Sequence, residues 1–341
     1  MIVKNAYTIP YHLRPLKAIE RNLFVTLLKK IDNHGSIDLS DYRYVGFGAP
    51  FLEDFKLMHL EFGIFDMDCI EYEYYPFSRQ AFNNPFNFVK LYHESCTDYI
   101  NSGDFKQDKN QIVWLDFASP REFRQQLFDV ELISAKLADM DIVKLTFNAN
   151  DTSVVSSNQI KKCSPPDYAK ILDFFKKDQT YKTYVPATIR SADFIHDFSV
   201  LIRSMAINAV RRGLATQGND LEFNHLTSFS YADGQMMTTI TGLICSKEKF
   251  DALKVGSGIS KWEFFQDELA SPFITSNEIV VPVMTISERM AIDKLIPLPS
   301  AKEMAEQIDF FYGSNEDEHL RLLDGYRRYY KYLPHYSKVT Y

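Results

Sequence analysis

Close pairs of cysteine are missing from this chain. Its four cysteines, Cys69, Cys96, Cys163 and Cys245, are scattered along the sequence. That spacing excludes a metal knuckle and a CxxC redox pair, and it predicts reduced thiols. No apolar run approaches the roughly 20 residues that cross a bilayer. The opening residues, MIVKNAYTIPYHLRP, hold no apolar signal segment. A soluble, cytoplasmic protein with no membrane partner is expected. Positive charge is not in surplus: 38 Lys and Arg face 45 Asp and Glu, for a net charge of −7. This balance argues against a protein that coats nucleic acid, although local basic patches remain open to it. Repeats and low-complexity tracts are also missing. Apolar residues are plentiful, at 45% of 341 positions with 27 Phe and 20 Tyr. That content supports one large domain or a domain with sizeable additions.

The stretch YRYVGFGAPFLEDF, residues 42–55, is the organising feature. It reads as a short strand, a tight Gly46-Phe47-Gly48-Ala49-Pro50 turn, and a helix with Phe51, Phe55, Met58 and Phe62 at helical spacing. Strand, glycine turn and helix open a nucleotide-binding α/β unit, where small residues let the backbone approach a ligand. A plain turn holding two glycines gives the same pattern. Ahead of it, LRPLKAIER starts a helix at Pro15, with an apolar stripe through Leu16, Ile19, Leu23, Leu27 and Ile31. Arg14, Lys17 and Arg21 cluster there, either as a solvated face or as a cover over a site for a carboxylate or phosphate.

Further strands follow. MDCIEYE ends in acids; Glu71 and Glu73 share a strand face in this reading, and Glu71 is the first choice for ribose hydroxyls. FVKLY is a third strand, with Asp98 after it, where Ser95 or Thr97 serves equally well as a helix cap. QIVWLDF reads as a central buried strand ending in Asp116, at the end where such sheets bind ligands. DIVKLTFNAN is a fifth strand carrying Lys144. Residues 151–197 loosen into an insertion. The helix Phe198 to Arg212 ends at Gly213, read as a C-cap. Asp233-Gly234 then marks a hairpin. Near the end, YRRYYKYLP, followed by His335, interleaves aromatics with Arg327, Arg328 and Lys331. It suits base stacking or a docked helix with its cations outside.

Strand-helix units closed by a hairpin resemble the class I S-adenosylmethionine-dependent methyltransferases over residues 40–245. VGFGAP is similar to their first-strand glycine motif, IEYE to the acidic second-strand end, and VWLDF to the fourth-strand motif. The whole chain resembles a group of bacterial O-methyltransferases of unassigned substrate, through LRPLKAIER, YVGFGAPFLEDF, SYADGQMMTTITG and YRRYYKYLP. The glycine motif departs from the usual one, which has a preceding acid and a third glycine. An Asn-Pro-Pro-Tyr motif is absent, LDFASP standing in its place, and so is a Pro-Cys motif. DNA-base methylation is therefore disfavoured.

The resemblance implies an α/β fold with a Rossmann-like methyltransferase sheet, mostly parallel and closed by an antiparallel hairpin. Residues 1–40 would form a helical cover, 41–150 and 198–250 the cofactor-binding core, 151–197 an insertion and 251–341 an α/β extension. S-adenosylmethionine would lie against Gly46, Phe47 and Gly48, with Glu71 or Glu73, Asp98 and Asp116 as further contacts. Asp116, Lys144, His225 and Asp233 are the candidate bases for an oxygen nucleophile. Arg14, Lys17, Arg21, Tyr231 and Asp233 are the candidate acceptor contacts, favouring a small-molecule or nucleotide-like acceptor that is anionic. The alternatives are a nucleic-acid methyltransferase, or a nucleotide-sensing or scaffold module without transfer.

Overall fold

The computed structural model describes residues 13–105, 108–158, 160, 166–232, 234–266, 276–298 and 300–334. Eight strands form a single sheet: β1 Arg43–Gly46, β2 Asp66–Ile70, β3 Val89–Tyr92, β4 Gln111–Asp116, β5 Ile142–Asn148, β6 Glu222–Ala232, β7 Met236–Cys245 and β8 Asn277–Ile279. Their order is β3-β2-β1-β4-β5-β7-β6-β8, and only β7 runs antiparallel to its neighbours. This is the expected mostly parallel sheet with a closing hairpin, extended by one parallel edge strand from the C-terminal region.

Side-chain alternation along the strands separates two faces. Val45, Val113, Leu115, Val143, Leu145 and Phe147 face one core, beneath α4 (Cys96–Ser102), α5 (Phe123–Ser134) and α8 (Ser199–Ala215). Tyr44, Ile112, Trp114 and Ile142 face the other, beneath α1 (Pro15–Ile31), α2 (Glu53–Phe62) and α9 (Lys247–Ser257). Between β2 and β3 runs α3 (Tyr74–Asn83). Residues 151–197 hold α6 (Asp151–Ser157) and α7 (Tyr168–Lys177), and they join the first core through Ile171, Leu172, Phe175 and a Tyr181 ring stacked on Phe123. After β8 come α10 (Ile286–Asp293), α11 (Ala301–Ala305) and α12 (Glu316–Tyr329), with the capping box from Thr285 to Glu288 formed as its pattern predicts. No described helix is long and apolar enough to cross a membrane.

Two sequence expectations change. Gly213 does not end its helix; α8 runs on to Ala215. A Cβ at Gly213 would lie 2.2 Å from the Glu131 carbonyl oxygen, so this glycine is there for close packing of α8 on α5. The second strand stops at Ile70, and Glu73 is the N-cap residue of α3. Glu71 and Glu73 therefore do not share a strand face; the chain has already turned between them.

Candidate functional site

Three strands deliver their carboxyl ends to one place. β1 ends at Gly46, level with Trp114 of β4, which is level with Lys144 of β5. Beyond Gly46 the chain turns back sharply before α2. Ala49 has φ +42° and Leu52 has φ +51°, both in the left-handed region that side chains avoid. Such positions cost of order 1–3 kcal/mol each and persist only where the surroundings impose them. Leu52 is also the N-cap of α2, with no side chain accepting from the first-turn amides. The glycines are held tightly. A Cβ on Gly46 would meet the Trp114 carbonyl oxygen at 2.8 Å, and one on Gly48 would meet Leu52 at 2.4 Å and the Cys69 sulfur at 2.7 Å. Their small size is consumed by packing within the protein, so a larger residue at Gly48 disturbs the turn itself.

Over this edge lies the first half of α1, and three of its charges point inward. Lys17, Glu20 and Arg21 are all buried. The Lys17 ammonium donates to Asp116 Oδ2 at 3.0 Å, and Arg21 Nη2 lies 3.6 Å from the same oxygen. Arg21 forks onto Asp54, with Nε donating to Oδ1 at 2.6 Å and Nη2 to Oδ2 at 2.8 Å. Lys144 pairs with Glu20 and stands over the rings of Phe24 (4.5 Å) and Trp114 (4.6 Å). Burial works to raise the Asp116 pKa, but Lys17 and Arg21 outweigh it and hold the carboxyl below the usual range. Burial pulls the Lys17 and Lys144 ammonium groups below the ordinary lysine value, with Asp116 and Glu20 opposing. Asp116 Oδ1 is buried with no hydrogen-bond partner among the described residues.

The remaining predicted residues are placed as follows. Glu71, the residue after β2, is half-buried, and its Oε1 accepts the Glu73 amide at 2.9 Å. Asp98 is exposed in the first turn of α4, where it accepts the Ser95 hydroxyl at 2.6 Å. Phe47 is half-buried edge-on to Phe117, ring centroids 5.4 Å apart. His225 does not reach this place. It stands level with Gly242, Val143 and Val113, below the end of β4 and three strands away, roughly 14 Å at the usual strand spacing. Its Nε2 faces the Ser228 hydroxyl at 2.7 Å and its Nδ1 the Gln266 carbonyl at 2.9 Å. It is a buried, hydrogen-bonded histidine at that position. Tyr231 is likewise buried, packed with Ile19, Leu23, Phe264, Ile279 and Tyr329 between α1 and the C-terminal elements. Asp233 and His335 lie outside the described residues.

The C-terminal aromatic-cation run is a docked helix. Tyr326 and Tyr329 are fully buried, while Arg327 pairs with Asp324 and Arg328 approaches Glu263. Sequence reasoning missed Glu20, Asp54 and Trp114. A signal was present for Glu20: KAIER places an acid between two cations on a helix with apolar neighbours, a pattern that suits buried pairs as well as a solvated face.

A family model described as "Putative O-methyltransferase" matches residues 9–341. No curated protein matches. Among solved structures, Trm1 from Pyrococcus horikoshii in complex with S-adenosyl-L-methionine is similar at 11% identity, covering 95% of this chain and 78% of that one, with a TM-score of 0.45. The N-methyltransferase NodS from Bradyrhizobium japonicum WM9, in complex with S-adenosyl-l-homocysteine, is 9% identical over 70% of this chain and 98% of that one, TM-score 0.36. The O-methyltransferase TomG from Streptomyces achromogenes, in complex with SAM, is 11% identical over 67% and 80%, TM-score 0.35. At such low TM-scores these likenesses carry no weight for the site.

Proposed function

This chain belongs to the O-methyltransferase family whose model it matches, and on that premise we propose that its acceptor is a small molecule offering an oxygen already ionised at neutral pH, a carboxylate or an acidic phenol. S-adenosylmethionine is the cofactor, supplying a methyl group on a sulfonium that needs no further activation. The residues at the carboxyl edge fit it. Asp116 Oδ1 is a buried carboxylate oxygen suited to the ammonium of an amino-acid group. Glu71, directly after β2, offers a carboxylate to the ribose hydroxyls, and it ranks ahead of Glu73 because Glu73 already belongs to α3. Gly46, Phe47 and Gly48 form the turn against which the cofactor would lie, with exposed Asp98 at the rim.

The observation that carries the acceptor reading is that the candidate bases among the described residues are already engaged. Asp116 is kept ionised by Lys17 and Arg21, Lys144 is tied to Glu20, and His225 is tied to Ser228 and Gln266. A neutral alcohol needs a proton acceptor as it attacks; an oxyanion attacks with a lone pair in place and leaves no proton to move. The protein's part is then alignment and exclusion of water. Lys17 and Arg21 keep their own carboxylate partners. Arg14, Lys17 and Arg21 together place a positive field on Asp116, and that field is what would favour the acceptor's negative charge. The acidic whole-chain charge and the internal pairing of these cations favour a small molecule over a nucleic acid.

Methyl transfer to a panel of acids, phenols and aliphatic alcohols, followed by mass spectrometry, tests this. With a carboxylic acid, kcat/KM is expected to stay flat between about pH 6 and 9, since the group is ionised throughout. With a phenol it is expected to rise about tenfold per pH unit up to the phenol's own pKa. Aliphatic alcohols methylated as fast as carboxylates would overturn the proposal.

A further inference from the structure

We propose that Arg21 is a positioning residue for the cofactor turn: it ties the start of α2 to the end of β4, so that the turn takes its working shape only while α1 is docked. This rests on the reading of residues 46–52 as the cofactor turn. The turn leads out of β1, the neighbour of β4, and into α2. Within the turn the Leu52 amide donates to the Gly48 carbonyl at 3.0 Å, and from α3 Asn83 donates to the Pro50 carbonyl at 2.7 Å. Two of the turn's non-glycine residues are left-handed, and no side chain caps the helix that follows. What fixes that helix comes from elsewhere. Asp54, in the first turn of α2 and 3% exposed, receives both arms of the Arg21 fork.

The same guanidinium lies 4.9 Å from the centre of the Trp114 ring and 3.6 Å from Asp116, both on β4. One side chain of α1 thus joins the helix after the turn to the strand beside it, spanning the end of β1. Lys17, one turn earlier on α1, holds Asp116 in place from the same side. A planar fork is needed for this, because a lysine presents a point charge and cannot hold both Asp54 oxygens in one plane with Trp114 beneath. A second tie between α1 and α2 provides the contrast. Lys29 pairs with Glu61 at 2.5 Å, but both are solvent-exposed and lie at the far end of the two helices from the turn.

The test is calorimetric titration of S-adenosylhomocysteine into the wild-type chain and into Arg21→Lys, Asp54→Asn, the double variant and Lys29→Ala, with thermal unfolding recorded for each. Arg21→Lys and Asp54→Asn are expected to weaken binding by roughly tenfold or more while remaining folded at the titration temperature. The double variant should bind no worse than the weaker single one, because the two residues act as a unit. Lys29→Ala should bind as wild type does. Turnover should show the loss mainly in KM for S-adenosylmethionine, with kcat much less changed. Affinities within about threefold of wild type in the folded Arg21→Lys and Asp54→Asn chains would overturn the proposal. So would unfolding of both, since the pair would then be an element of the fold and not a positioning device. A wild-type chain that gives no binding heat would remove the cofactor reading itself, a different failure from unchanged affinity in the variants.

Discussion

The helix before the sheet and the helix at the end of the chain carry similar basic clusters in different surroundings. On α1, the side chains of Lys17 and Arg21 are 6% exposed, and Lys144 beneath them is 1% exposed. Their carboxylate partners lie 99, 33 and 124 positions away in sequence. On α12, Arg321, Arg327 and Arg328 are 50%, 36% and 30% exposed, and Arg327 pairs with an acid three residues back. A buried ion pair joins elements distant in sequence, and removing one partner strands a charge where water cannot reach it. A surface pair is screened and competes with solvent, so it organises little. The first cluster builds the sheet edge proposed to hold the cofactor; the second lies on the solvent side of a docked helix.

Three experiments sharpen that contrast. The largest effect is expected at the core of the first cluster. Lys144→Met should destabilise the chain by about 3–5 kcal/mol in urea unfolding, because Glu20 is left buried and alone. Adding Glu20→Leu should recover most of the loss, and a double variant as weak as the single would show that the packing, not the charge, was at stake. Smaller, and on binding instead of folding, is the pair at the end of β2. Glu71→Ala should weaken cofactor affinity by more than about tenfold, on the order of 1.5–3 kcal/mol for a lost charged hydrogen bond, and Glu73→Ala by much less. The reverse ranking, read by calorimetry, would make the N-cap of α3 the ribose contact. The smallest effect is expected on α12: Arg321→Ala, which removes the surface pair with Glu278, should change stability by less than about 1 kcal/mol. A larger loss would dissolve the distinction between the clusters.

How much of this was legible in the chain depends on whether the signal is local. Buried strands such as QIVWLDF announce themselves as apolar runs, and a mostly parallel sheet follows from alternating strands and helices. The Asp233-Gly234 signal placed the β6–β7 hairpin, and Thr285 with Glu288 placed a cap. Ends were harder: the acids of IEYE continued the strand pattern, yet the backbone turns after Ile70 to start α3. Gly213 read as a terminator because its close contact with distant Glu131 leaves no trace in a local window. The pairing of Lys17 with Asp116 and of Arg21 with Asp54 was illegible for the same reason; a charge's partner, and so its role, is decided by tertiary packing. His225 had the right chemistry for a base, and only the register of β6 shows that it stands level with Val113, below the end of β4.

The most direct test of the account is the cofactor affinity of Asp116→Asn beside that of the wild-type chain. Asp116 is where α1, β4 and the proposed ammonium contact meet, with Oδ2 taken by Lys17 and Oδ1 awaiting a donor. Titration of S-adenosylhomocysteine should give a clear binding isotherm for the wild type. Asp116→Asn should remain folded and bind roughly tenfold or more weakly, as expected for loss of a charge-assisted hydrogen bond. Equal affinity in the two chains would contradict the claim that this charged edge, built by α1 and β4, is the cofactor site.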